Sequence, residues 1–278
     1  MARLTTDTKA QILRCLVEGS SIRSTERMTG AHRDTITKVV VQTGKGCDRL
    51  SEEHIRHVEC RELQLDEIWG FVGKKRARVQ KDDDERKVGD FWTWVAMDPE
   101  SKLVPAHHVG KRTQPDANAL LKVVARRVEG RVQISTDKLA AYKFAIAGQL
   151  GKNNVDYGRI VKRFRVEDLG ERRYSPPMVV GVDKDKVFGS PDPSRISTSH
   201  VERQNLTMRM GMRRLTRLTN GFSKKADNLK AAVSLHFAYY NFVRNHSTIK
   251  TTPAIAAGIA DRQWRIDDLV EAGEIYGR

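Results

Sequence analysis

The sequence predicts an α/β protein in which a small helix-turn-helix unit precedes a mixed sheet flanked by helices. Three observations lead there. Over residues 1–45 the apolar residues recur at helical spacing. From about residue 61 the period changes to two, as in strands. Beyond that, strand and helix patterns alternate, which calls for a sheet with covering helices. The expected divisions are 1–45 for the helical unit, 46–61 for a linker, 62–253 for the sheet domain with an insertion at 167–199, and 254–278 for a tail.

The first helix holds Ile12, Leu13, Leu16 and Val17 on one side, with Asp7 as its expected cap. Gly19-Ser20-Ser21 breaks it, a second helix covers Ile22 to Met28, and Thr29-Gly30-Ala31 makes a turn. The third helix, His32 to Val41, turns Ile36, Val39 and Val40 inward. Two short helices joined by a turn with glycine form the helix-turn-helix pattern. Its last helix would offer Arg33, Asp34, Thr35, Thr37 and Lys38 to a DNA groove. The plainer alternative is a packing module without DNA contact, but the turn spacing and the basic third helix favour the DNA reading. The polar, Gly44- and Gly46-containing stretch after it reads as linker plus a short helix.

Leu63, Leu65, Trp69 and Phe71 alternate with Gln64, Asp66 and Ile68, the mark of a half-buried strand. Asp82-Asp83-Asp84 falls in a charged hairpin loop between Gly73 and Gly89 and reads as solvated. Phe91 to Asp98 and Leu103 to Val109 are two further strands; His107 and His108 alternate across the second, so they face different ways. Pro115-Asp116 opens a helix with Leu120, Leu121, Val124 and Val128 on one side. A strand ending in Ser135-Thr136-Asp137, a helix from Ala140 to Leu150, and a strand from Asp156 to Arg165 follow. Within 167–199, Met178–Val182 and Lys186–Phe188 read as a hairpin turning at Asp183-Lys184-Asp185. Ser197, Thr198 and Ser199 then offer hydroxyl caps for a helix whose stripe is Val201, Met208, Met212 and Leu215, with Glu202 in its first turn. Ser223 is the expected cap of a last long helix, Ala226 to about Arg244.

Fifty Lys and Arg against thirty-five Asp and Glu give a net charge of +15, and nucleic acid is the partner such a balance implies. The excess is concentrated: Val201 to Lys250 holds ten basic residues and two acids. Three cysteines without a CxxC pair (Cys15, Cys47, Cys60) fit reduced thiols in the cytoplasm better than disulfides or zinc. No apolar run is long enough to span a bilayer, so no membrane partner is expected.

Three acids stand out by their position on elements. Asp66 lies mid-strand, Asp137 ends the fourth strand, and Glu202 opens a late helix. An aspartate inside a strand among Leu65, Ile68 and Trp69 is costly unless paired or metal-bound. Carboxylates converging from such places can hold the two Mg²⁺ ions that assist phosphodiester chemistry. Each acid alone also has the plainer role of an ion-pair partner for Lys or Arg.

Residues 63 to 253 resemble an insertion-sequence transposase of the DDE class, most closely the insertion sequence 1 family. The similar residues are Leu65-Asp66-Glu67-Ile68-Trp69 with Val72-Gly73, Ser135-Thr136-Asp137 with Tyr142, and Val201-Glu202-Arg203-Gln204-Asn205-Leu206-Thr207. Asn241-Phe242-Val243-Arg244-Asn245-His246 with Thr252-Pro253-Ala254 is similar to the closing segment of many such enzymes. The resemblance implies a ribonuclease H-like catalytic core, two Mg²⁺ or Mn²⁺ ions, and Asp66, Asp137 and Glu202 as metal ligands and catalytic residues. It implies DNA as partner, both the terminal inverted repeats and the target, with a homodimer or larger assembly in the bacterial cytoplasm at the nucleoid. Base reading would fall to Arg33, Thr35, Thr37 and Lys38, and the phosphate grip to Arg203, Arg209 and Arg213. Two departures stand out. The long interval from Asp137 to Glu202 makes 167–199 an insertion, with Glu167, Asp168 and Glu171 as alternative third acids. The zinc finger common at the start of family members is missing from this sequence. Outside the enzyme class, a DNA-binding regulator without activity fits the same pattern; a metal-dependent nuclease shares the site and lacks strand transfer.

Overall fold

The computed structural model describes residues 4–165 and 178–277. Glu167, Asp168, Glu171, Pro176 and Pro177 lie outside the described residues. A six-stranded sheet forms the centre, in the order β4-β3-β2-β6-β7-β8. Strands β2 (Glu62–Val72), β3 (Gly89–Met97) and β4 (Ala106–Gly110) form an antiparallel meander. Strand β6 (Val132–Thr136) pairs parallel to β2, β7 (Val155–Arg165) parallel to β6, and β8 (Met178–Phe188) antiparallel to β7. Two-residue strands β1 (Val58–Glu59) and β5 (Val128–Glu129) pair separately.

The period-two pattern of β2 sorts its residues between two cores. Leu63 and Leu65, with Trp94 and Ala96 of β3, pack under helices α4 (Gln114–Arg127) and α5 (Ala140–Gln149). Ile68 and Val72, with Val95 and Met97, pack on the other face. There they meet α6 (Ser199–Gly211), α7 (Ala226–Ala238) and the N-terminal helices α1 (Thr6–Val17) and α3 (Arg33–His54). Helix α2 (Ile22–Thr29) precedes α3, separated by a three-residue turn in which Gly30 takes φ 71°. His107 and His108 do face opposite ways: His107 stacks on Phe237 of α7, and His108 Nε2 pairs with Asp116 Oδ1 of α4 at 2.9 Å.

Several expectations need correction. The linker expected at 46–61 is, up to His54, the second half of α3. Gly44 and Gly46 do not break that helix; they let other helices touch its backbone. A Cβ at Gly44 would fall 2.1 Å from the Ala231 carbonyl oxygen on α7. One at Gly46 would fall 2.3 Å from that of Ala272 on α9 (Ile266–Tyr276). The hairpin expected at 178–188 is one edge strand. Its supposed turn is held extended by opposite charges across β7, Asp185 to Arg159 and Asp183 to Arg163, each at 2.9 Å. Thr5, not Asp7, caps α1, accepting from the Thr8 N–H. Lys225 stands at the cap of α7, while Ser223 is buried, bridging to Val72 and accepting from Arg214.

The last long helix ends in a wider π turn, Tyr239–Val243, where the motif starting at Asn241 proves to be structural. Asn241 brackets Val104 through both its N–H and its carbonyl, and Phe242 stacks on Trp264. Thr252 caps the short helix α8 (Pro253–Ala256). The tail folds back: α9 buries Leu269 and Val270 against the helical core, and Glu274 pairs with Lys9 of α1. Among the described residues no helix is long and apolar enough to cross a membrane.

Candidate metal site

The pairing of β2 with β6 carries the geometry. Gln64 sits opposite Ser135 in the parallel register, and continuing by two residues sets Asp66 level with Asp137. Since β6 ends at Thr136, Asp137 stands free of the sheet, with its side chain 42% exposed. Its Oδ1 accepts from the Leu139 N–H at 2.9 Å, fixing the turn into α5. Glu67 points to the α4–α5 face, where Arg112 Nε (2.7 Å) and Tyr142 OH (2.9 Å) each donate to one of its oxygens. Asp66, Glu67 and Asp137 each offer an oxygen such that these atoms lie within 4.8 Å of one another.

Helix α6 closes the other side. Two strand residues before Asp66, Gln64 Oε1 accepts from the N–H groups of His200 (2.9 Å) and Val201 (3.3 Å). That amide caps α6 from the sheet, the work expected of Ser197–Ser199. Thr198 instead donates to Glu202 Oε1 at 2.6 Å, and Ser197 accepts from the Ser199 N–H. One turn along, Asn205 Nδ2 donates to Asp66 Oδ2 at 2.8 Å. Glu202 is thus brought next to Asp66 but is not within the close group; Lys162 of β7 holds its Oε1 at 2.5 Å.

The electrostatics are one-sided. Among the described residues no cation pairs with Asp66. Burial first, then the charges of Glu67, Asp137 and Glu202, push its carboxyl up to about 7, against the lowering pull of the Glu67 N–H. Burial and then Asp137 push Glu67 up as well, opposed by Arg112 and Tyr142. Arg112 also stands 3.9 Å from Asp137 and over the Trp92 ring. The donor set is all carboxylate oxygen, which suits hard divalent ions such as Mg²⁺ or Mn²⁺. An acid at about 7 gives up its proton readily to such an ion. The residues therefore fit the ions the resemblance implies.

Glu67, Gln64, Arg112 and Lys162 are the participants that sequence reasoning passed over. Glu67 and Tyr142 stood inside the similar motifs without a role. Nothing local marks Arg112 or Lys162.

The residues expected at DNA separate into groups. Arg33 and Lys38 are exposed at the start of α3, Thr35 is half-buried, and the Thr37 hydroxyl donates back to the Arg33 carbonyl. Arg203 and Arg213 are exposed. Arg209 turns inward: its guanidinium donates to the carbonyls of Leu215 (2.9 Å) and Trp69 (3.4 Å), tying α6 to β2. Arg33, Thr37 and Arg213, expected in two separate roles, line one cavity. The aspartates of the Gly73–Gly89 loop pair locally, Asp83 with Lys74 and Asp84 with Arg86. Neither protein-family models nor curated protein sequences give a match to this chain.

Proposed function

We propose that this protein belongs to the polynucleotidyl transferases with a ribonuclease H-like core. The sheet order supports that class, since an antiparallel meander joined at its first strand to two parallel strands is the arrangement such a core requires. More particularly, the reading is a DNA transposase of the DDE class. It is supported by where the similar motifs meet: Leu65–Trp69, Ser135–Asp137 and Val201–Thr207 all border one site.

The single observation that carries the reading is Asp66. A part-buried carboxylate with three more carboxylates around it, and no cation paired with it among the described residues, raises the free energy of the fold. Proteins keep such strain where it serves function. Two divalent ions, when bound, would supply an activated attacking oxygen and a neutralised leaving oxygen. Asp66 and Asp137, brought level by the parallel pairing of β2 with β6, would hold them. Asn205 orients Asp66, Gln64 fixes the start of α6, and Glu202 would be a further ligand once released from Lys162. Arg112 presents its charge beside Asp137, where a scissile phosphate would lie.

The chemistry is two in-line displacements at phosphorus. In the first, water attacks at the element end, the phosphorus–O3′ bond breaks, and a 3′-OH is freed. In the second, that hydroxyl attacks a target phosphodiester: its 3′-oxygen bonds to the phosphorus, the target's own phosphorus–O3′ bond breaks, and a target 3′-OH leaves. The turn-linked helices α2 and α3 are the expected reader of the terminal repeats, with exposed Arg33 and Lys38 foremost.

The test is incubation of purified protein with labelled inverted-repeat DNA and Mg²⁺ or Mn²⁺, beside Asp66→Asn. The expected result is metal-dependent 3′-end cleavage and joined product from the wild type, and neither from the variant. Tight binding without cleavage by the wild type would leave a regulator; cleavage without joining would leave a nuclease.

A further inference from the structure

A cavity of about 650 Å³ opens between the starts of α2 and α3, the end of α6, and the loop leading to α7. Small-molecule sites run to roughly 300–1,000 Å³. Its lining carries Arg23, Arg33, Arg213, Arg214 and Lys224 and, among the described residues, no carboxylate. None of these five cations has an ion pair among the described residues. Arg214 donates to Ser223, and Lys224 lies over the Phe222 ring. Like charges gathered without counter-charge make a strong positive potential, which calls an anion in.

The same cavity has apolar walls from Leu16, Ile22 and Met212. At its floor lies His236, only 4% exposed, with no hydrogen-bond partner for either ring nitrogen among the described residues. Burial, then Arg244 and His107, push this imidazole down to about 3, so it is neutral and offers one donor and one acceptor. Its two ring nitrogens point away from each other and are closed off from solvent, so the imidazole forms part of the cavity's floor. A cationic rim beside an apolar wall suits a phosphate joined to a flat apolar ring, which describes a nucleotide.

The loop beside the cavity adds a second observation. Leu218 is 87% exposed and sits at φ +57°, a left-handed conformation unfavourable for a leucine, between Arg217 and Thr219. An apolar side chain held out in a basic loop is the form of a wedge between base steps.

We propose that this cavity receives one nucleotide turned out of the DNA duplex, its phosphate on the arginine rim and its base against the apolar wall above His236, while Leu218 fills the gap in the stack. This rests on DNA being the substrate, though not on the acids cleaving it.

The experiment uses the full chain in EDTA with duplexes of the element end carrying 2-aminopurine at successive positions, a base that brightens when unstacked. We expect a severalfold rise at one position. Arg213→Ala should reduce the rise. Leu218→Gly, which keeps the left-handed backbone at this exposed position, should abolish it. Saturable binding of dAMP with no bright duplex would overturn the strand as the source, and inorganic phosphate competing as well as dAMP would overturn the base contact. Tight duplex binding with no bright position, or a rise untouched by Leu218→Gly and Arg213→Ala together, would also overturn the proposal. No duplex binding at all would instead remove the DNA reading on which it stands.

Discussion

Four carboxylates gather around the C-terminal end of β6, whereas five cations gather in a cavity at the far end of α6. The acids come from β2, the end of β6 and the first turn of one helix, positioned by sheet register and by three hydrogen bonds of the Gln64 and Asn205 side-chain amides. The cations come from α2, α3 and the loop between α6 and α7, and nothing but packing sets them side by side. Charge built into a sheet is held to within the tolerance that metal ligation needs. Charge collected on helix ends and a loop suits a flexible polyanion, which tolerates looser placement. Asp66 at the centre of the acids and all five cations lack an ion-pair partner among the described residues, and that shared feature sets both places apart from the paired charges of the scaffold.

The largest way to break this comparison is at Asp66. Asp66→Asn should reduce strand cleavage by well over 100-fold, measured by single-turnover assay, since even partners of metal ligands are worth 10- to 100-fold. The same change should stabilise the metal-free protein at pH 8. Asp66 is held at about 7 when folded against the ordinary 3.8 of a free aspartate, so the folded state binds the extra proton between those values. Wild-type stability therefore falls as pH rises from about 4 to about 7, by at most about 4 kcal/mol. Asp66→Asn should flatten that slope in denaturant titrations at a series of pH values.

Next in size is Asn205→Ala, which leaves every carboxylate in place and frees Asp66 to turn. A 10- to 100-fold loss of cleavage is expected, with metal affinity reduced to match. An unchanged rate would demote α6 from positioning element to cover.

These acids also show how much the sequence disclosed. The meander, the two covering helices and the positions of Asp66 and Asp137 were readable, because alternation and strand ends are local properties. Glu67 was not, since alternation sends it to the opposite face; only the early end of β6 lets its carboxyl reach Asp137. Gly44 and Gly46 looked like a break because their reason, close contact with Ala231 and Ala272, lies two hundred residues away. Asp183-Lys184-Asp185 looked like a turn because its partners, Arg159 and Arg163, belong to another strand. The basic cavity was invisible for the same reason, although Arg33, Thr37 and Arg213 had each been singled out.

On the basic side, Arg33→Ala and Arg213→Ala should each weaken DNA binding across all sequences. Each should also lower the slope of log K against log salt by about 1, read from anisotropy at several salt concentrations. Unchanged slopes would mean that the cavity does not face phosphate. The smallest effect is expected at Lys162, whose pair with Glu202 is part-exposed and worth about 0–1 kcal/mol. Lys162→Ala should barely move Tm, yet lower the Mn²⁺ concentration needed for half-maximal cleavage, because Glu202 is released.

The central claim is that Asp66 and Asp137 share a divalent ion. Calorimetric titration with Mn²⁺ at pH 6.5 tests it without any DNA. The account predicts saturable binding by the wild type with release of a proton, lost in both Asp66→Asn and Asp137→Asn. Identical Mn²⁺ isotherms for the three proteins would contradict it.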